Sequence, residues 1–199
     1  MSPFRNHTPK RLDITTVVSR YGEHRTQLRI DFQRRCGYCN DIDTYRFAYF
    51  EIDHFIPQLK DKKPFLTIKT NTDYSNLVYS CKSCNNAKRN KWPTNDQNIP
   101  NRNDEGFVDP CDDDYNNHFE RTATGKIVYK TKLGEWKYNN LKLYKPQHEI
   151  IWNLELLDNL IDEINKIIED SPSTSLTDQL RSCYEEYRRY VKKLGELGL

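Results

Sequence analysis

The sequence predicts an α+β fold: small β elements gathered around a four-cysteine zinc site, then a β-hairpin, then a C-terminal antiparallel helical hairpin. Three observations predict it. Cys36-Gly37-Tyr38-Cys39 and Cys81-Lys82-Ser83-Cys84 are two C-x-x-C pairs with an aromatic and β-branched stretch between them. Residues 118–121 and 126–130 flank Ala123-Thr124-Gly125, a turn that places glycine at the left-handed position. From Ile150 to Leu194 apolar residues recur in steps of four and three, the period of two amphipathic helices.

The 199 residues suit one domain, or a small domain with a substantial extension. With 36% hydrophobic and 30% charged residues, the core must be modest and the surface very polar. Thirteen Tyr, eight Phe and three Trp spread along the chain argue against disorder. The net charge of +2 hides an asymmetry. Residues 1–40 carry eight basic side chains against three acidic ones, and residues 82–102 are basic as well. Residues 104–120 are acidic, with Asp109, Asp112, Asp113 and Asp114. The plainest reading of any one charge run is a solvated face. Basic segments on both sides of the cysteine core nevertheless favour a polyanionic substrate. The first ten residues are polar and contain Pro3 and Pro9, unlike a secretory signal, and no apolar run approaches a membrane span. The expectation is a cytoplasmic protein without a membrane partner, its six cysteines serving as metal ligands or free thiols.

In chain order, the reading divides into residues 1–33, 34–95, 96–145 and 146–199. Residues 1–9 read as a loosely held arm, and residues 15–21 can begin a helix. Residues 25–35 form a better helix, with Leu28, Phe32 and Arg35 on one face. Gly37 suits the tight backbone of the first cysteine turn. Residues 47–56 read as a strand carrying Asp53 and His54, stopped by Pro57. Residues 85–90 start a helix that Trp92-Pro93 ends. Residues 94–105 read as a linker, and Gly134 as a turn. In the terminal hairpin Pro146 sits in the first turn of one helix, and Ser175 with Asp178 fits a capping box for the other. Its narrow apolar seam either closes within the chain or docks a partner or a second copy.

A closed set of four thiolates, Cys36, Cys39, Cys81 and Cys84, leaves no open position for substrate, so its zinc is expected to staple the fold. Cys183 reads as a core-facing helix residue. Asp53 and His54 are neighbours, so on a regular strand they point to opposite faces; serving one site requires a bend there.

Taken together, Cys36-x-x-Cys39, Glu51-Ile52-Asp53-His54-Phe55-Ile56-Pro57, Tyr74-Ser75-Asn76-Leu77-Val78 and Cys81-x-x-Cys84-Asn85-Asn86-Ala87-Lys88 resemble the zinc-containing HNH endonucleases. The resemblance covers residues 34–93. It implies a ββα-metal (His-Me finger) core around one catalytic divalent ion. By position His54 resembles the general base, and Asn76 the residue that braces its loop. Asn85 stands where many members have a metal-binding His, making this an H-N-N variant. Asp53 and Asn85 would then hold Mg²⁺ or Mn²⁺, hard cations that accept an amide oxygen. Lys88 and Arg89 are candidates for phosphate contacts. A looser resemblance, in residues 106–119 and His148-Glu149-Ile150-Ile151-Trp152-Asn153, is to HNH subunits of Septu-like and retron-linked antiphage systems. The HNH resemblance implies double-stranded DNA as substrate, and this looser one implies an ATPase of the ABC type as partner. Two other readings stay open. One is a zinc-built module that grips nucleic acid or protein without cutting. The other is a toxin-like nuclease whose site the acidic run shields.

Overall fold

The two strands that carry the motif residues pair directly. Strand β2 (Glu51–His54) and strand β3 (Leu77–Ser80) are antiparallel, with Asp53 opposite Val78 and His54 opposite Leu77. Helix α2 (Lys82–Lys88) follows β3 after a single residue and packs back on β2. This strand–strand–helix unit is a ββα core, seen here in a computed structural model that describes residues 1–46 and 48–197. The strand is shorter than the predicted residues 47–56; its expected first residue, Phe47, lies outside the described residues.

Helix α1 (Arg25–Asp31) covers β3 and is preceded by a 3₁₀ turn rather than by a helix over residues 15–21. It ends four residues earlier than predicted, because Gln33 and Arg34 take left-handed backbone angles that a helix cannot continue. Leu28 and Phe32 reach the core as expected.

The first residues are not a loose arm. Strand β1 (Ser2–Pro3) pairs with strand β4 (Phe119–Arg121), and β4 pairs with strand β5 (Ile127–Tyr129) around a turn in which Gly125 has φ 87°. Phe4 is buried against Tyr115 and Phe119. A polar sequence with two prolines concealed this, since a single buried aromatic decides it.

Gly134 is not a turn. It lies in helix α3 (Lys132–Asn140), capped by the Thr131 hydroxyl, which accepts from Gly134 N at 2.9 Å. A Cβ at Gly134 would stand 2.5 Å from the His118 carbonyl oxygen, so glycine is required by close approach.

Helices α4 (Gln147–Asp170) and α5 (Thr174–Glu196) form the terminal hairpin. Ile150, Leu154, Ile161 and Ile164 of α4 are buried, whereas on α5 only Leu194 is. The expected Ser175 capping box does not form; α5 starts two residues earlier, at Thr174 with Ser173 as N-cap, without a side-chain cap. The hairpin is tied to the core by Arg35, which forks onto Glu155, and by Tyr45, which donates to Asp158 at 3.0 Å. No helix among the described residues is long and apolar enough to cross a membrane.

Candidate active site

The four cysteines come together because the two knuckles are pinned to each other. Gly37 N donates to the Tyr79 carbonyl, and Cys36 N to that of Asp41. Gly37 serves this by size rather than by backbone freedom: a Cβ would meet Phe32 and Val78 at 2.7 and 2.8 Å, and the left-handed residue of the knuckle is Asn40, at φ 64°. Helix α2 begins at Lys82, three residues before the predicted start, with Cys81 as its N-cap. Cys84 therefore sits inside the helix, and Asn85 lies in its second turn. The ligand atoms of Cys36, Cys39, Cys81 and Cys84 all lie within 4.8 Å of one another, and all four residues are buried. The Cys39 and Cys81 sulfurs are 3.8 Å apart. That is far beyond a disulfide, and it equals the edge of a tetrahedron with metal–sulfur bonds of about 2.3 Å. The cluster fits a four-coordinate metal of zinc dimensions.

β2 stays in register with its partner strand through His54, so the bend lies just after the Asp53-His54 pair rather than within it, and the two side chains meet different partners. Asp53 is buried. Its Oδ2 accepts from the Tyr38 hydroxyl at 2.5 Å and pairs with Lys88 Nζ at 3.0 Å. Burial raises the Asp53 pKa, with Lys88 opposing the rise. His54 lies near the other face, its ring edge-on to Tyr21 with centroids 4.9 Å apart. Its Nε2 lies 2.8 Å from the Asn71 carbonyl oxygen. A carbonyl only accepts, so Nε2 carries the proton and Nδ1 holds the free lone pair. Burial lowers the His54 pKa and keeps the ring neutral near pH 7.

The bend comes immediately after His54, and Asn76 makes it. Its Oδ1 accepts from Ile56 N at 2.8 Å, and its Nδ2 donates to Ile56 O at 3.1 Å. Its own carbonyl accepts from Phe55 N at 2.8 Å. A 1% exposed asparagine thus replaces the strand ladder where β2 turns away.

Lys88 is not a surface cation. It is 0% exposed, and besides Asp53 it donates to the His54 carbonyl at 2.8 Å. The spacing of three on α2 puts Asn85 on the same face, where its Nδ2 donates to Glu51 Oε2 at 2.7 Å. The β2–α2 contact is thus a two-rung ladder: Asp53 with Lys88 inside, Glu51 with Asn85 half-exposed. Arg89, by contrast, is exposed at the end of α2 with φ 47°.

The family model described as HNH endonuclease matches residues 36–91. These residues hold both knuckles, the two strands and α2. The chain is also similar to the Septu protein PtuB of Bacillus mycoides (strain KBAB4), 32% identical over 132 residues, which cover 57% of this chain and 43% of that protein. The chain thus spans less than half the length of this relative. No solved structure matches it.

Within the segment that the family model matches, the free atoms define what a cation could use. Tyr38 and Lys88 both engage Asp53 Oδ2, and Oδ1 has no hydrogen-bond partner among the described residues. Asn85 spends its amide nitrogen on Glu51, leaving its Oδ1. One carboxylate and one amide oxygen are donors suited to a hard divalent ion. Sequence reasoning passed over Glu51 as a partner. The signal for Glu51 was its i, i+2 spacing to Asp53, which puts both carboxylates on the face that α2 covers.

Proposed function

We propose that this protein is a divalent-metal-dependent HNH endonuclease that hydrolyses phosphodiester bonds of DNA, with His54 as general base. The observation that carries the reading is the state of His54. Its proton is committed to the Asn71 carbonyl, its Nδ1 lone pair is free, and burial holds it neutral. Such an imidazole takes a proton from a water poised to attack phosphorus. Asn76 keeps the base in place by fixing the chain directly behind it. Lys88 ties Asp53 to the His54 carbonyl, so the two sides of β2 are held in one register.

Asp53 Oδ1 and Asn85 Oδ1 would hold Mg²⁺ or Mn²⁺, and Glu51 would orient the Asn85 amide. Bound there, the ion supplies Lewis-acid stabilisation of the phosphate and the leaving oxygen. Two protein ligands leave the remaining positions to water and phosphate. Zn²⁺ in Cys36, Cys39, Cys81 and Cys84 is structural, and Cys84 sets the position of its neighbour Asn85. The likeness to the Septu protein supports a place in antiphage defence in the cytoplasm, beside an ATPase of the ABC type.

One observation favours a second reading. Lys88 already neutralises Asp53, as suits a zinc-built module that binds nucleic acid or protein without cutting. Plasmid nicking with Mg²⁺ or Mn²⁺ separates the two. Wild type is expected to nick and His54→Ala to lose activity by about 100-fold or more, the scale of general-base catalysis. Intact plasmid with both proteins, with and without the ATPase, would overturn the nuclease reading.

A further inference from the structure

Helix α2 has a second face. On the side away from β2, a cavity of about 420 Å³ is lined by Arg46, Lys82, Arg89, Lys142 and Lys145, and by no carboxylate. Arg46 is matched by the buried Asp41. The other four cations have no ion-pair partner among the described residues. They crowd one another: beside them, burial lowers the Lys91 pKa, and the charges of Lys142 and Arg89 lower it further. Lys142 and Arg89 are both held at left-handed backbone angles, φ 57° and 47°.

The loop that brings Lys142 and Lys145 to the cavity carries Tyr144 between them, 55% exposed. Its ring lies 5.9 Å from that of Tyr138, which lies 5.4 Å from that of Tyr129. Residues 126–145 as a whole contain six lysines and one carboxylate, Glu135. Tyr144 does not line the cavity itself but stands on the loop that borders it. A groove of unmatched cations bordered by an exposed tyrosine is how proteins hold unpaired nucleotides: the cations follow the phosphates, and the ring stacks a base. An acidic protein surface would use the cations and leave the tyrosine faces idle.

We propose that this cleft is a binding channel for a single-stranded stretch of nucleic acid, its phosphates on Lys82, Arg89, Lys142 and Lys145 and one base stacked on Tyr144. The inference rests on the nuclease reading for its biological setting and on the cleft alone for its chemistry.

Fluorescence anisotropy tests it, with a labelled 20-nucleotide single strand and the same sequence as duplex. The whole 199-residue chain carrying His54→Ala is used, so that cutting does not interfere. The protein is expected to bind the single strand more tightly than the duplex. Adding Lys142→Gln and Lys145→Gln should lower the slope of log affinity against log salt by about 1.4, two contacts at about 0.7 each. Adding Tyr144→Ala should weaken single-strand binding about 5- to 100-fold and duplex binding far less. Lys192→Gln, on α5, should leave the slope unchanged. An unchanged slope in the double variant overturns the proposal and makes the cleft a docking face for an acidic protein. An equal drop with Lys192→Gln overturns it too, because attraction would then be spread over the surface. Plasmid nicking by otherwise wild-type protein reads the nuclease assignment separately: binding through the cleft without nicking would remove that assignment and leave the channel.

Discussion

Replacing Lys88 with methionine probes the hinge between fold and site. The ammonium is fully buried, 3.0 Å from Asp53 Oδ2 and 2.8 Å from the His54 carbonyl oxygen. Methionine keeps most of the stem and removes the charge. Asp53 would remain in its buried setting with only the Tyr38 hydroxyl as donor, and the His54 carbonyl would lose its ammonium partner. Breaking a buried pair from one side costs about 3–5 kcal/mol. With a urea m-value of about 2–3 kcal/mol/M, the midpoint should fall by about 1–2.5 M. Asp53→Asn in the same chain should restore more than half of the loss, because it removes the stranded charge. Equilibrium urea unfolding of the wild type, the two single variants and the double variant measures all of this. A midpoint shift below about 0.3 M, accompanied by weaker oligonucleotide binding, would refute the reasoning and return Lys88 to the surface as a phosphate contact.

Three further outcomes are expected. Cys81→Ser should lose the bound zinc, the cooperative unfolding of the HNH domain and all nicking; metal analysis beside the nicking assay checks it, and a zinc-free variant that cuts normally would disprove the coupling. Lys137 sits with Nζ 4.0 Å and 4.8 Å from the Tyr115 and Phe119 ring centroids, and burial lowers its pKa to about 7 from 10.5. Between those values the unfolded chain binds more protons, so the penalty on folding is full below pH 7 and gone above about 10.5. Stability relative to Lys137→Met should therefore rise with pH through that window by up to about 5 kcal/mol, and a flat difference would show that the lysine keeps its ordinary pKa. Gly134→Ala should cost about 1–3 kcal/mol, read as a loss of about 2–10 °C in melting temperature, because the new methyl meets the His118 carbonyl.

Much of the site was legible because its chemistry demands particular residue types at particular spacings. Two C-x-x-C pairs announce four converging thiolates wherever the chain between them runs. Asn76 was readable only through the family resemblance, which implied a residue bracing the loop; nothing in its own spacing marked it. The terminal helices declared themselves through their period, and the hairpin through Gly125. What could not be read was decided by distance across the fold. Lys88 looked like any basic residue at a helix end, until β2 placed a carboxylate and a carbonyl against it. Gly134 looked like a turn because the His118 carbonyl that requires it lies 16 residues earlier. The first strand was missed because Ser2 and Pro3 carry no β signal of their own; their partner, β4, lies more than a hundred residues away.

Helix α2 is seven residues long, and consecutive residues point about 100° apart. Within that length Cys84 faces the thiolate cluster, Asn85 and Lys88 face β2, and Lys82 faces the basic cleft. Insertion of one residue between Cys81 and Lys88 would turn every later side chain out of alignment with all three at once. This short segment should therefore tolerate substitution far better than any change of length, and pairs of substitutions within it should show strong epistasis. Asn101–Arg102 and Glu105–Gly106 form a two-stranded ribbon whose exposed turn, Asn103-Asp104, carries no such shared phase, and that turn is where natural or engineered insertions can accumulate without cost to the site.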